Sequence, residues 1–381
     1  MSAEIMVVGG GPAGATAAAR LALAGREVSV LEREAGPADK VCGEFLSSEA
    51  CDYLAGHDVD VRALGAAPIR SLRLCRGEHV AEAALPFVAY GLSRRALDEE
   101  LLVRAARAGA VLRRAARVID LGRTASGWVA RLDTGEHMAA PSVFLATGKH
   151  DLRSQRRPAG TQADLVAFKW HLRLSARQTA SLAGCVELIF FDGGYAGLQP
   201  IDGGRVNLCL VIQRDRLRAL GTRREQLLAA LTMDTAPLRR RLDGAVSLWS
   251  RPMALSPIPY GHVQSQAMGL FRLGDQGVVI PSFTGEGISI ALHSAELAAG
   301  MYLEGQSAQA FQSQLARDVT AQVRRASVLS AAMIRPTGQA AIELAAQLWP
   351  GLMVRTVLGT RLSEKALARA RRAADAHRAE L

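Results

Sequence analysis

The sequence predicts an α/β chain built from two interleaved parts. Three observations carry that prediction: a strand, glycine turn, helix and strand in immediate succession at the start; a central stretch whose apolar residues recur with period two; and a second strand, glycine-rich turn and long helix near residue 270. The chain has 381 residues, about twice the usual size of a single domain. Its composition is that of a globular protein, with 49% apolar, 22% charged and 5% aromatic residues, and excludes fibrous and disordered classes.

The opening unit runs through Glu4 to Val8, the turn Gly9-Gly10-Gly11-Pro12-Ala13-Gly14, the alanine-rich stretch Ala15 to Ala24, and the strand Glu27 to Glu32. A helix is predicted over 93–108, then a β-meander through Val111 and Trp128, closing on the buried strand Ser142 to Leu145 with the small-residue turn Ala146-Thr147-Gly148. From Val166 the pattern changes. Val166, Phe168, Trp170, Leu172 and Leu174 alternate with Ala167, Lys169, His171, Arg173 and Ser175, and two more alternating runs follow at 186–191 and 206–212. These are antiparallel strands of a separate sheet. The strand Gly269 to Leu273 then leads into a helix over 285–303, with further helices over 308–329 and 337–348, a break at Trp349-Pro350-Gly351, and a closing basic helix. The parts are assigned as a discontinuous dinucleotide-binding domain over 1–70, 93–160 and 262–330, a substrate-binding β-sheet domain over 71–92 and 161–261, and a C-terminal helical segment over 331–381.

A formal charge of +10 would suit nucleic acid, an anionic surface or an acidic substrate, but the arginines are spread along the chain. Only Arg239-Arg240-Arg241 and the C-terminal arginines concentrate it, and these read as solvated helix faces. No nucleic-acid partner is expected, and the basic C-terminal helices are the one candidate for peripheral membrane contact. Five cysteines without metal-ligand spacing predict neither a disulfide framework nor a metal site. The start of the chain lacks the pattern of a secretory leader, and no apolar run reaches membrane-spanning length, so a cytoplasmic setting is expected.

Gly9-x-Gly11-x-x-Gly14 lies between a strand and a helix, the context in which the motif has chemical meaning. The first glycine allows a tight turn, Gly11 lets backbone approach a pyrophosphate at the helix N-terminus, and Gly14 lets helix and strand pack closely. Glu32 ends the next strand, where an acid hydrogen-bonds ribose hydroxyls. This alone fits NAD or FAD. The second glycine site, Gly274-Asp275 followed by Pro281-Ser282-Phe283-Thr284-Gly285-Glu286-Gly287-Ile288, selects FAD: an acid to hold a polyol chain, and a helix end aimed at a ring that is anionic when reduced.

Four motifs in chain order, Gly9 to Gly14 with Glu32, Lys40-Val41-Cys42-Gly43-Glu44, Ser93-Arg94-Arg95-Ala96-Leu97-Asp98, and Gly274 through Ile288, resemble those of FAD-dependent oxidoreductases on the p-hydroxybenzoate hydroxylase fold, in particular the geranylgeranyl reductase-like branch. The resemblance implies a Rossmann-type FAD-binding domain carrying an inserted substrate sheet. It also implies that Gly9, Gly11, Pro12, Ala13 and Gly14 cradle the pyrophosphate, with Glu32 and Arg33 at the adenosine end and Arg94 near the phosphates. Asp275 then holds the ribityl and pyrophosphate region, Gly285 and Gly287 lie beside the flavin ring, and Ala146, Gly148, Gly274 and Ile288 complete the cofactor-binding set. Cys42-Gly43 falls where the reductase branch places a Cys-Gly pair beside the flavin. A thiol there could act as an acid toward a substrate carbanion, or be only a small buried residue.

Departures from the family pattern narrow the chemistry. The hydroxylases' second Asp-Gly motif and the His after Gly-Asp are missing, as is the halogenases' Trp-x-Trp-x-Ile-Pro. Tyr195-Ala196-Gly197-Leu198-Gln199-Pro200 keeps the ends of the geranylgeranyl reductases' Tyr-x-Trp-x-Phe-Pro and loses both inner aromatics, which implies a reshaped pocket. Phe168, Trp170, Phe190, Tyr195, Leu198 and Tyr260 are the candidate substrate residues, with Cys42 and Tyr195 as catalytic candidates; for each aromatic the core reading comes first. The expected activity is reduction or desaturation of a C–C bond in a hydrophobic polyketide, lipid or prenyl-like molecule, with NAD(P)H or a reductase partner as electron donor. An FAD monooxygenase acting on an aromatic or polyketide substrate is the alternative, and a flavin electron carrier without its own substrate a second.

Overall fold

The strand Ile5–Val8 is buried along its whole length and flanked on both sides by other parallel strands, which is why it reads as an unbroken apolar run. In the computed structural model, which describes residues 3–221 and 223–375, this sheet has the order Phe271–Arg272, Ser142–Leu145, Ile5–Val8, Val28–Leu31, Val111–Arg113, with every pair parallel. The helix Pro12–Leu23 crosses it and packs against two further helices, Arg94–Arg107 and Gly287–Leu303. Its alanines allow that close approach, since all of its first eight residues have side chains no larger than threonine or proline. A small three-stranded sheet, Val118–Thr124, Gly127–Leu132 and His137–Ala140, closes the other side of the parallel sheet around Leu121, Trp128 and Leu145.

The second sheet has nine strands, ordered Val246–Ser247, Leu165–Arg173, Val206–Gln213, Gly194–Pro200, Cys185–Phe191, Ala67–Arg76, His79–Gly91 and Phe45–Leu46, with Met253–Leu255 also paired to Leu165–Arg173. It is antiparallel except where Cys185–Phe191 meets Ala67–Arg76. Residues 45–46, 67–91 and 165–255 thus build one sheet from three separate stretches.

The register decides which face looks where. Phe168 opposes Leu210, and Trp170 and Leu198 oppose Leu208. These residues point away from the parallel sheet into a core with Leu227, Leu231 and Leu238, supplied by the helices Leu227–Asp234 and Ala236–Arg241. This corrects the reading of Phe168, Trp170 and Leu198 as substrate residues: covering helices give the apolar face a core of its own. Lys169 opposes Cys209 and His171 opposes Asn207 on the other face, where both Lys169 and His171 are buried. Arg241 departs from the solvated reading too; it is buried, and its Nε donates to Glu187 Oε2 at 2.7 Å.

The C-terminus folds as Ala308–Met333, Pro336–Leu348, Pro350–Gly359 and Glu364–Asp375. Two helices follow the Trp349 break where one was predicted, because Thr360 to Ser363 interrupt the run. Residues 376–381 of the predicted C-terminal segment lie outside the described residues. If Phe168 serves only as core, Phe168→Ala will lower stability by about 3–5 kcal/mol in urea unfolding and leave flavin affinity unchanged; weakened substrate binding at unchanged stability would contradict this placement.

Candidate active site

The glycine turn is built by close packing. Gly9 adopts φ +105°, and a Cβ there would lie 2.4 Å from the Ala146 carbonyl oxygen; one on Gly14 would strike the Gly9 carbonyl oxygen at 1.9 Å. Gly11 caps the helix Pro12–Leu23 without any side-chain hydrogen bond, Pro12 occupies its first turn, and no acid follows. The leading N–H groups of this helix therefore have no side-chain partner, as an anion site requires.

Glu32 is buried beside this turn. Its Oε2 accepts from the Gly10 N–H at 2.7 Å and its Oε1 from the Glu34 N–H at 3.0 Å, with Lys40 Nζ 3.5 Å away. Arg33 is exposed and paired with Glu34. Arg94 holds Asp98 with two hydrogen bonds of 2.6 and 2.8 Å, and its Nη2 lies 3.2 Å from where a Gly11 Cβ would stand.

The second glycine site meets the first. A Cβ on Gly274 would touch Ala13 and Ala291, so the strand end at Gly274 is wedged between the two helices. Asp275 accepts from Lys149 Nζ at 2.8 Å, next to Gly148. Gly285 takes φ +70° under the ring of Phe45. Glu286 precedes the helix Gly287–Leu303 but does not cap it; its carboxylate turns to Arg361 Nη1 at 2.5 Å. Burial pushes that carboxyl up to about 7, with Glu49 adding and Arg361 opposing. A second uncapped helix N-terminus, carrying Gly287 and Ile288, results. Cβ atoms on Gly43, Gly148 and Gly287 would meet only open space. Two uncapped helix ends, glycines that admit close approach and acids set for hydroxyl groups fit the diphosphate and polyol of FAD.

Cys42 is half-buried in the turn that leads to Glu44, and its Sγ accepts from the Glu44 N–H at 3.3 Å. The turn is fastened to the inner face of the large sheet. Asn207 Nδ2 donates to the carbonyl oxygens of Cys42 and Gly43 at 3.2 and 2.7 Å, Cys209 Sγ to that of Cys42 at 3.0 Å, Gln199 Nε2 to that of Glu44 at 2.7 Å, and Lys169 Nζ to that of Lys40 at 2.9 Å. Burial pushes the Cys209 thiol up to about 12, which keeps its proton available as donor.

The Glu44 carboxylate is fully buried. Lys169 Nζ lies 2.5 Å from Oε1, His171 Nε2 2.7 Å from Oε2, and the Arg94 N–H donates to Oε1 at 2.8 Å. Burial alone would raise its pKa, but the hydrogen bond from His171 and the charge of Lys169 together hold it below the ordinary carboxylate value. Asp39, Glu44 and His171 bring ligand atoms within 4.8 Å of one another, yet the Lys169 ammonium already balances that carboxylate. Sequence reasoning missed this cluster. Its signal in the sequence is the pairing of Lys169 with His171 on one strand face.

Phe190 and Tyr195 lie on the inner face, in one buried cluster with Tyr260, which follows the sheet's last strand. The Tyr195 hydroxyl is 3.0 Å from Ser282 Oγ, and its ring meets Phe283 edge-on, so this tyrosine reaches the second glycine loop. Burial raises both phenols, Tyr260 to about 12 and Tyr195 well above its ordinary value, leaving them hydrogen-bond donors at neutral pH. A cavity of about 330 Å³ between Arg73, Arg177, Glu187 and Arg241 lies on the opposite face, far from both glycine loops; the glycine loops carry the chemistry for a dinucleotide, so the site is placed at them.

Two outcomes follow. Gly11→Val, which crowds Arg94 and closes the approach to the helix end, should weaken flavin binding by about 100-fold and yield colourless protein. Glu44→Gln should cost about 3–5 kcal/mol by stranding Lys169. Because the folded carboxyl titrates below its unfolded value of 4.5, its contribution is full above that pH and fades as pH falls through the folded value. Melting curves of wild type and variant should therefore converge in acid; a gap that persists would refute the ion pair's role.

Residues 7–62 match the family model for an NAD(P)-binding Rossmann-like domain. Menaquinone reductase of Mycolicibacterium smegmatis is 27% identical over 329 residues, 80% of this chain and 77% of that one. Digeranylgeranylglycerophospholipid reductase 2 of Methanopyrus kandleri is 27% identical over 321 residues, 78% and 76% of the two chains. Among solved structures, a myxobacterial chondrochloren halogenase, an FAD-dependent enzyme, superposes with a TM-score of 0.75 at 19% identity over 99% of this chain and 97% of its own. A flavin-dependent brominase gives 0.74 at 16% over the full length of both. These likenesses to halogenases are likenesses of fold. With the relatives named as reductases and the Rossmann-like match, they identify the chain as an FAD-dependent oxidoreductase that shares the fold of the FAD-dependent halogenases.

Proposed function

We propose that the chain reduces a carbon–carbon double bond in a hydrophobic polyketide, lipid or prenyl-like molecule, drawing electrons from NAD(P)H or a reductase partner. The observation that carries this reading is the Cys42-Gly43 turn, a thiol pinned by backbone hydrogen bonds between the two glycine loops and the inner face of the substrate sheet. The relatives named for menaquinone and for digeranylgeranylglycerophospholipid support a substrate with a prenyl chain.

When bound and reduced, FAD supplies a hydrogen with two electrons to one carbon of such a bond. The other carbon then requires a proton, and Cys42 Sγ delivers it. The Glu44 N–H, 3.3 Å from that sulfur, steadies the thiolate left behind, which solvent reprotonates. Glu44, Asn207 and Gln199 are positioning residues in this scheme: they fix the turn and touch no substrate. Phe190 gives an apolar wall, while Tyr195 and Tyr260 present neutral hydroxyls that orient the substrate. On the cofactor side, residues 9–14 hold the diphosphate, Glu32 the adenosine ribose, and Asp275 with Gly148 the ribityl chain.

The test is anaerobic. Enzyme reduced with dithionite, freed of excess reductant and mixed with prenylated quinones, should be reoxidised with saturation of a side-chain double bond. Cys42→Ala should slow that step by about 100-fold with little change in KM. Unaltered kcat in Cys42→Ala would remove the thiol from the chemistry, and a strict requirement for oxygen would replace the reductase reading with the monooxygenase one.

A further inference from the structure

Thirteen large apolar side chains are exposed among the described residues, and most stand alone. Four of them fall within nine consecutive positions: Leu344 at 56%, Leu348 at 59%, Trp349 at 66% and Leu352 at 44%. Leu344 and Leu348 are one turn apart on Pro336–Leu348, Trp349 is the joint, and Leu352 opens Pro350–Gly359. Arg355 follows Leu352 one turn later, on the same side of the helix.

This elbow is firmly seated. Gln339 Nε2 donates to the carbonyl oxygens of Phe191, Gly194 and Met333 at 2.8, 3.1 and 2.7 Å, and Arg76 holds Glu343 at 2.5 Å. The inward faces of the two helices supply Ala346 and Met353 to the buried cluster that contains Phe190, Tyr195 and Tyr260. One pair of helices thus touches the substrate side of the candidate site with its inner face and shows leucines and a tryptophan to the outside.

The surrounding charge says what the outer face meets. Residues 324–372 hold nine Lys or Arg against two Glu; Arg361, Arg369 and Arg371 are taken up by acids elsewhere in the chain, which leaves Arg324, Arg325, Arg335, Arg355, Lys365 and Arg372 to give this end its positive surface. Apolar residues with a tryptophan at their centre and arginines at the flanks match the boundary between lipid headgroups and acyl chains, where indole rings settle and anionic headgroups attract the cations. No helix among the described residues is long and apolar enough to cross a membrane, so the elbow would lie on the surface. A second copy of this chain docked face to face on the same patch would set two such basic segments against each other, and that repulsion disfavours it.

We propose that the elbow from Leu344 to Arg355 seats the protein on an anionic lipid bilayer and that the hydrophobic substrate passes from the bilayer between the two helices to Tyr195. The route of the substrate rests on the reductase reading above; the membrane contact does not. The test is flotation of the full-length flavoprotein with phosphatidylcholine vesicles, with and without phosphatidylglycerol. The protein should float with the anionic vesicles, less so in high salt, and the triple variant Leu348→Ser, Trp349→Ser, Leu352→Ser should bind about 10-fold more weakly. All three side chains are exposed, so the variant should keep its melting temperature; Met233→Ser, exposed elsewhere at 75%, should float as the wild type does. Turnover of a vesicle-embedded substrate should fall in the triple variant while that of a short-chain, water-soluble analogue holds. Failure to float, flotation that the triple variant leaves intact, or a wild-type dimer that the variant dissolves would each overturn the bilayer assignment. Equal loss of turnover on soluble and embedded substrates would overturn the route. Flotation without turnover of any prenylated compound would instead count against the reductase reading and leave the membrane contact standing.

Discussion

Glu44 is a carboxylate removed from water and shared by an ammonium, an imidazole and a backbone N–H, and where it sits determines where the Cys42 turn meets the large sheet. Moving such a group into the interior costs several kcal/mol, which only well-made hydrogen bonds offset. Here Lys169 and His171 come from one strand, Arg94 from the start of the helix beside Gly11, and Glu44 from the turn carrying Cys42. Three stretches remote in sequence are therefore registered against one another by a charge that tolerates little displacement. The same residue has φ +59°, a left-handed conformation rare for a glutamate. Its carboxylate and its carbonyl are each bound from the sheet, so the backbone has no freedom to relax, and the strain is stored beside Cys42.

The cofactor side is held together differently. There the contacts are steric: Gly9 against Ala146, Gly14 against Gly9, Gly274 between Ala13 and Ala291. Packing of this kind brings two helix ends together without spending side chains on them, so their N–H groups stay available to a ligand. The positive charge of the chain then has an assignment that does not involve nucleic acid. Several arginines are structural, as with Arg94 on Asp98 and Arg241 on Glu187, and the surplus lies toward the C-terminus.

The strand–glycine turn–helix units were legible because each is local: a strand, a turn and a helix start within a dozen residues, and the glycines have a steric reason to be there. The faces of the large sheet were not. Alternation in 166–175 reveals that two faces exist, one apolar and one polar, but in a sheet buried on both sides it does not say which lies against the rest of the protein. The polar face turned out to be the inner one because its partner, Glu44, enters from about 125 residues away. The covering helices at 227–241 were masked by their arginines, one of which is buried in an ion pair. Phe168, Trp170 and Leu198 were misassigned for that reason, while Phe190 and Tyr195 fall on the inner face with Tyr260 packed against them.

The order of strands carries a consequence for how the molecule is made. The parallel sheet is completed at one edge by Phe271–Arg272, and the first helix gains its neighbour only from Gly287–Leu303. The Cys42 turn, meanwhile, waits for Lys169, Gln199 and Asn207 before its carbonyls and carboxylate are satisfied. A chain emerging from the ribosome would hold its N-terminal glycine turn for some 280 residues before a cofactor cradle exists, and such long-range closure is slow and exposes apolar strands meanwhile. Flavin capture is thereby a late event of synthesis, and a truncation well beyond the glycine turn, anywhere before the end of the Gly287–Leu303 helix, leaves a protein without its colour.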